Sequence, residues 1–133
     1  MTKIYSLIAF FFAVISISAQ DETDFSEQIF DTVDVEAEYS GGASSMMNFL
    51  ATNMTYPQKA VESDIQGRVY VKFVVTKKGK VTNVTLLKGM SNCQECNEEA
   101  LRVVREMPDF KPAQVNGENV NAYFVLPIVF MLD

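Results

Sequence analysis

Histidine is absent from this sequence of 133 residues, and cysteine occurs only twice. The absence of histidine removes the commonest general base and the commonest metal ligand in proteins. Two cysteines alone also fall short of the four ligands of a usual zinc site. These absences argue against a histidine-based catalytic centre, and we expect no metal site.

A run of basic residues is missing as well. The 11 lysines and arginines are outnumbered by 17 acidic residues, which gives a formal net charge of −6. Nucleic acids and anionic membranes attract concentrated positive charge, so this chain is a poor candidate for binding either. Internal repeats and low-complexity linkers are also lacking, and the length predicts a single domain.

The long apolar run at residues 4–17 is too short for a membrane span, which needs about 20 residues. Lys3 precedes this run, and Ala19 follows it as a small residue at a cleavage point. Residues 1–19 are therefore predicted to be a secretory signal peptide that exports the protein. The less favoured alternative is an uncleaved anchor in the inner membrane.

The segment that follows the signal, residues 20–40, is acidic and weakly patterned. We predict it to be a mobile lead-in to a domain at residues 41–133. A short strand within it is possible, because apolar and acidic side chains alternate there. The apolar members of this alternation are Val33, Val35 and Ala37.

Two short helices are predicted at the start of the domain. Apolar residues recur at helical spacing over residues 44–53. We expect Met46, Met47 and Phe49 to pack in the core rather than to line a ligand groove. The stretch TYPQKAVES predicts a second helix with Pro57 at its first position, where a missing N–H costs nothing.

The clearest pattern is in GRVYVKFVVT, where β-branched and aromatic residues alternate with other residues and predict a strand. Its apolar face comprises Val69, Val71, Phe73 and Val75. The return strand VTNVTLLK follows a turn at Gly79, so the two strands should form an antiparallel hairpin. Val81 and Val84 are three residues apart, and a bulge near Thr82 or Asn83 would place both on one face.

The stretch SNCQECNEEALRVVREM predicts a helix that is capped by Ser91 or Asn92. Its core stripe consists of Ala100, Leu101, Val104 and Met107. The opposite face should be solvated and should carry ion pairs three and four residues apart. This face comprises Glu98, Glu99, Arg102 and Arg105.

Cys93 and Cys96 stand at the start of this helix. A helix N-terminus lowers the pKa of a thiol, so a thioredoxin-like redox pair is one interpretation. The βαβ context that usually surrounds such a pair is not evident. We therefore favour either a local disulfide or two free thiols, and the spacing does not choose between them.

The last strand is predicted over residues 119–132. Pro127 lies inside it and cannot donate a hydrogen bond to a neighbouring strand, so the strand should lie at a sheet edge with that position turned outward. Such apolar edges invite pairing with other strands. The order helix, strand, strand, helix, strand predicts an α+β fold, with a small three-stranded antiparallel sheet and helices packed on one face.

Three stretches together resemble the C-terminal domain of TonB. They are YPQKAVESDIQGRVYVKFVVTKKGKVTNVTLLKG, EALRVVREMPDFKPAQVNGENV and LPIVFML, and the lead-in YSGG…YP is similar to that of a group of TonB-like proteins. The resemblance covers residues 39–132 and rests on the order and spacing of its parts. These include Gly67, the turn at Gly79, the loop at Asn116 and Gly117, and the Pro-Ile-x-Phe strand.

The resemblance implies a periplasmic peptide-binding module in TonB-dependent transport, which is not an enzyme and needs no cofactor. TonB domains recognise a short N-terminal segment of outer-membrane receptors, the TonB box, which pairs with the last strand and extends the sheet. Main-chain hydrogen bonds then supply affinity, and side-chain pockets supply specificity. The partner-binding residues that the resemblance implies are Gln114, Val115, Asn116, Gly117, Val120, Asn121, Ala122, Tyr123, Phe124, Val125 and Leu126.

Two expectations about partners qualify this interpretation. TonB has a membrane anchor and a long Pro-rich spacer, whereas residues 20–39 contain no proline. We therefore do not expect inner-membrane motor proteins to be direct partners. The alternative function is that of a structural or assembly protein whose C-terminal edge strand mediates homodimerisation.

Overall fold

The computed structural model describes residues 27–133. The predicted signal peptide and the first residues of the predicted lead-in lie outside the described residues. In chain order the elements are β1 (Ile29–Phe30), β2 (Glu38–Tyr39), α1 (Gly42–Asn53), α2 (Gln58–Glu62), β3 (Gly67–Val75), β4 (Val81–Lys88), α3 (Gln94–Arg105), β5 (Phe110–Lys111), β6 (Ala113–Val115) and β7 (Glu118–Phe130).

One sheet organises the molecule. Its strands lie in the order β1, β7, β3, β4, and β6 pairs with the N-terminal end of β7. β3 is antiparallel to both β4 and β7, whereas β1 is parallel to β7. The predicted α+β class is confirmed. The predicted three-stranded sheet gains β1 and β6, which at 2 and 3 residues are too short to show a hydrophobic period.

β3 and β7 form the centre of this sheet. They pair without interruption from Gly67 opposite Phe130 to Val75 opposite Ala122. The register places the apolar alternation of both strands on one face, and the predicted alternation of β3 is confirmed. The helices pack against this face through buried residues: Leu50 from α1, Ala60 from α2, and Ala100, Val103 and Val104 from α3.

The hairpin between β3 and β4 contains a bulge and a constrained turn. The register shifts between Lys72 and Val74, and opposite this shift Asn83 has a positive φ of 52°. The bulge that the sequence predicts is therefore confirmed. The turn requires Gly79, because its φ is 84° and a Cβ there would lie 2.2 Å from the carbonyl oxygen of Phe110.

The tyrosine–proline pair before α2 ties this helix to the end of β7. Pro57 is the N-cap of α2, one position earlier than predicted. The Tyr56 ring meets the Phe130 ring edge-on at 5.5 Å, and the Tyr56 hydroxyl donates to the carbonyl of Ile65. Burial raises the pKa of Tyr56, and the carboxylate of Asp64 raises it further.

α3 begins later than predicted. Its N-cap is Cys93, whose Sγ accepts a backbone N–H of the first turn at 3.1 Å, so the prediction of Ser91 or Asn92 as the cap is wrong. The cause is the buried side chain of Asn97. Its Oδ1 accepts the N–H of Met90 at 2.8 Å, and its Nδ2 donates to the carbonyl of Met90 at 3.1 Å. These bonds hold the residues before α3 in a turn.

The face of α3 that was predicted to be solvated carries a tertiary contact. Arg102 donates to Glu99 at 2.7 Å and to the carbonyl of Asn53 at 2.8 Å. Glu99 also accepts the N–H of Thr55 at 2.6 Å, and its side chain is only 13% exposed. The hydrogen bonds from Arg102 lower the pKa of Glu99. The pair therefore fastens α3 to the end of α1.

Part of the predicted lead-in is built into the core. Ala37 and Tyr39 are buried, and β2 pairs with β5. Phe110 of β5 lies between the rings of Tyr39, Phe73 and Phe124, with centroid distances of 5.5, 5.8 and 5.5 Å. Residues 37–39 therefore contribute to the aromatic cluster that closes one end of the sheet.

Candidate functional site: the outer edge of β7

The candidate site is the outer edge of β7, which we define as the side of this strand that faces away from β3. Pro127 lies opposite Tyr70 in the register with β3. In an antiparallel pair, residues alternate between pairs that exchange hydrogen bonds and pairs that do not. Because proline has no N–H, Pro127 fits a pair without hydrogen bonds. The same alternation then directs the backbone groups of Tyr123, Val125 and Val129 outward.

The predicted partner-binding residues lie on one hairpin. Gln114 and Val115 belong to β6, and residues 120–126 belong to β7. Asn116 and Gly117 form the turn between the strands with φ values of 52° and 79°. The structure thus brings the predicted residues together on the β6–β7 hairpin.

Their side chains divide between the two faces of the sheet. Ala122 and Leu126 are buried, and the Phe124 ring stacks on that of Phe73 at 5.2 Å. These three residues face the core, so only their backbone lies within reach of a partner. On the other face Val125 is 45% exposed, and the Lys72 ammonium lies 4.2 Å from the centre of the Tyr123 ring.

The chain itself pairs with part of the outer edge. Ile29 and Phe30 of β1 lie parallel to β7, opposite Asn121 and Ala122. The side-chain Nδ2 of Asn121 also donates to the carbonyl of Gln28 at 3.3 Å. The sequence did not predict this strand, whose only signal is an apolar pair inside an acidic segment.

The segment after β1 pairs with β6. The N–H groups of Asp34 and Val35 both donate to the carbonyl of Gln114, at 3.0 and 3.1 Å. The N–H of Gln114 donates back to the carbonyl of Val35 at 2.9 Å. The carboxylate of Asp34 accepts the N–H of Asn116 at 2.7 Å. The turn predicted to receive a partner is therefore held by the chain's own residues 34–35.

Beyond β1, the outer edge lies open along residues 123–130. Among the described residues, no other strand pairs with this stretch on the side away from β3. Val125 and Val129 are 45% and 41% exposed. A strand edge with outward N–H groups and exposed apolar side chains is suited to pairing with another strand.

An apolar groove adjoins the far end of this open stretch, between α1 and β7. Its volume is about 200 Å³, and it is lined by Met47, Leu50, Ala51, Met54, Pro127, Ile128 and Val129. Met46 and Phe49 pack against the core as predicted. The prediction is wrong for Met47, which is 62% exposed and lies along the groove.

The two cysteines lie away from this edge. Cys93 and Cys96 form a disulfide at the start of α3, and both belong to the core. Cys96 is fully buried and Cys93 is 8% exposed. The sulfur atoms are therefore shielded from solvent in this arrangement.

The fold and the edge define a class: a small α+β domain with an open edge strand at the end of the chain. The sequence matches the family model described as the Gram-negative bacterial TonB protein C-terminal, over residues 52–132. The chain therefore belongs to the TonB C-terminal family, and the predicted resemblance is confirmed. Domains of this family are non-enzymatic interaction modules of the cell envelope that contact outer-membrane receptors.

Two solved structures are similar to this chain. A shorter version of the Helicobacter pylori TonB C-terminal domain, solved by NMR, is 22% identical, with a TM-score of 0.49 over 65% of this chain and 89% of that one. A longer version is 20% identical, with a TM-score of 0.51 over 68% of this chain and 79% of that one. The longer version supports the fold.

A comparison with curated proteins finds no match. None of the helices within residues 27–133 is long and apolar enough to cross a membrane.

Proposed function

We propose that this chain is a periplasmic peptide-binding module, exported by the signal peptide at residues 1–19, in TonB-dependent transport. It recognises the N-terminal TonB-box segments of outer-membrane receptors by strand addition to the outer edge of β7. The observation that carries this proposal is the open stretch 123–130. Family membership supplies the class of partner, and the edge supplies a means of binding it.

Hydrogen bonding at this edge supports only modest affinity. Between β1 and Pro127, the residues Tyr123 and Val125 each present one N–H and one C=O to a guest strand. Four such bonds contribute about 4 kcal/mol in all, which corresponds to a Kd of about 1 mM. Pro127 adds a carbonyl acceptor but no donor, so it limits how far a guest can pair.

Side-chain burial provides the remaining affinity. The groove between α1 and β7 lies directly after Pro127 on the same edge. An apolar cavity of about 150 Å³ holds a benzene-sized molecule, so this groove has room for one large apolar side chain. Burying an aliphatic side chain there contributes about 1.5–3 kcal/mol, which brings the expected Kd to tens of micromolar before the cost of ordering the guest.

The test is an NMR titration of the isotope-labelled chain, residues 20–133, with synthetic N-terminal segments of outer-membrane receptors from the same organism. Strand addition predicts amide shifts that concentrate on residues 123–129. Shifts that spread evenly over the surface, or no shifts with any segment, would contradict receptor recognition at this edge. A scrambled segment of the same composition serves as the control.

A second candidate function, homodimerisation through the same strand, is favoured by one observation. Val125, Val129 and Met131 form an exposed apolar row at the end of the chain, and Met131 is 72% exposed. Two copies paired edge to edge through β7 would bring their apolar rows side by side. Light scattering at several concentrations distinguishes the functions, because a dimer that persists at micromolar concentration supports assembly and a monomer supports the peptide-binding module.

A further inference from the structure

We propose that residues 28–35 are an internal occupant of the β7 docking edge, which a partner strand that extends onto residues 121–122 has to displace. This inference rests on the proposed function and adds regulation to the same site. Gln114, Asn116, Asn121 and Ala122, four of the residues implied to bind the partner, already contact this segment. The edge is therefore divided into an occupied part and an open part at residues 123–130.

The occupant is held at two places. At β1, Phe30 lies opposite Ala122 and packs its half-buried ring against the core. At β6, Asp34 bonds both the carbonyl of Gln114 and the N–H of Asn116. Between these anchors Asp31 and Thr32 are exposed, whereas Val33 is partly buried against the core. Because the segment is held at two separate places, it should pair with β7 and β6 in one register only.

The strength of this hold is limited, which makes displacement feasible. β1 pairs over only 2 residues, and Asp34 and Val35 are exposed. Net contributions of about 1 kcal/mol for each hydrogen bond leave a displaced state within a few kcal/mol of the bound one. A segment of this kind belongs to the low-stability part of a structure, which opens without unfolding the rest.

An internal occupant lowers the apparent affinity of the edge for a guest in proportion to the fraction of molecules in which the edge is free. A minor state of this kind is populated at about 0.1–10%. A guest that needs the part of the edge at residues 121–122 should therefore bind about tenfold or more tightly once the occupant is released. A guest that needs only residues 123–129 should bind unchanged.

The probe is a synthetic peptide with the chain's own sequence EQIFDTVDVE, residues 27–36. The variant Phe30→Ser releases the β1 anchor and leaves every residue of β7 unchanged. The control variant Leu87→Ser makes the same kind of change at an exposed position of β4 (55% exposed), at the opposite edge of the sheet. NMR on residues 20–133 follows the amides of Asn121 and Ala122.

We expect Phe30→Ser to shift these two amides and to bind the peptide about tenfold or more tightly than the parent chain does. The added peptide should return the amides toward their parent positions. The control should behave like the parent. Unchanged amides in Phe30→Ser, or equal peptide affinity in all three proteins, would overturn the internal occupant. Unfolding of Phe30→Ser is checked by circular dichroism. Asp34→Ala then removes the carboxylate contact of the second anchor and is read at Asn116.

Receptor segments separate this inference from the proposed function. If they bind the parent chain and Phe30→Ser with equal affinity, the proposed function stands and displacement of residues 28–35 by receptor segments is wrong. If no receptor segment binds either protein while the chain's own peptide binds Phe30→Ser, the internal occupant stands and receptor recognition is wrong.

Discussion

Replacing Val125 by proline tests whether a guest pairs with the backbone of β7. The register of β7 directs the Val125 N–H away from β3. The backbone nitrogen of Pro127, two residues later, points the same way. The substitution should therefore leave the β3–β7 ladder intact and cost less than about 1 kcal/mol of unfolding free energy. A guest carbonyl that faces this position, however, would lose its donor and meet the proline ring.

The expected effect on binding follows from that lost donor. A hydrogen-bond acceptor left unsatisfied costs about 1–3 kcal/mol, which corresponds to binding that is about fivefold to somewhat over a hundredfold weaker. Isothermal titration calorimetry with a receptor segment that shifts the parent amides measures this change. Val125→Ala is the matched control, because it removes the same side chain but keeps the N–H. It should bind within about threefold of the parent, given the few carbons that are lost.

Two results would refute the reasoning. Equal binding by Val125→Pro and Val125→Ala, both folded, would mean that the guest does not pair with this backbone. The outward direction itself is tested by Leu126→Pro, whose N–H faces β3 and whose loss should break the ladder. If Val125→Pro unfolds as readily as Leu126→Pro, the assignment of outward groups is wrong.

Three further predictions concern other parts of the molecule. In thermal unfolding, Gly79→Ala should destabilise the domain by about 2 kcal/mol or more, because its Cβ would meet the Phe110 carbonyl. Gly117 has a similar φ but nothing within 4 Å of a Cβ, so Gly117→Ala should cost only about 1 kcal/mol. Equal losses would contradict the role of the Phe110 contact. Met47→Glu should weaken binding of an apolar guest about tenfold by closing the groove to apolar groups, whereas Leu87→Glu should not, as calorimetry would report. Glu99→Gln should cost about 1 kcal/mol at neutral pH after allowance for solvent screening.

The Glu99 prediction has a pH signature. In the folded state the pKa of Glu99 lies below its ordinary value of 4.5, chiefly because Arg102 donates hydrogen bonds to the carboxylate. Its contribution to stability is therefore fully present above pH 4.5 and is lost as the pH falls through the lower folded pKa. Urea unfolding between pH 2 and 7 should therefore show parent and Glu99→Gln converging at the acid end. Glu98→Gln, on the exposed neighbouring position, should parallel the parent throughout. A constant gap between parent and Glu99→Gln would contradict this coupling.

The long strands were readable because side-chain alternation extends over many residues. β3 shows it from Arg68 to Phe73, and the spacing of Val81 and Val84 was enough to predict the bulge that the structure has at Asn83. Pro127 also carried usable information, because a residue without an N–H restricts where its strand can lie. In each case the signal is local, so the sequence contains all that the inference needs.

The missed features depend on contacts between distant parts of the chain. β1 has 2 residues, and its pairing with residues about 90 positions later leaves no local trace. Met47 lies in an apolar stretch of α1, but its exposure in the groove depends on the position of β7, which the local sequence does not show. The Glu99 contact to Thr55 likewise joins two segments that are 44 residues apart in the chain, and no local pattern links them. Such features follow from tertiary packing rather than from local propensity.

An open edge strand is a hazard as well as a binding site, and β7 carries devices against unwanted pairing. β1 covers its start, Pro127 removes one outward donor, and Lys72 places a cation over the Tyr123 ring on the exposed face. β1 and Pro127 limit the length of continuous backbone that another strand can pair with, and the charge of Lys72 discourages pairing beside the exposed face. What remains between Asn121 and Pro127 is short, so backbone pairing alone favours brief contacts. Long-lived binding then requires either release of residues 28–35 or a guest side chain in the groove beside α1, which is where selectivity among partners should reside.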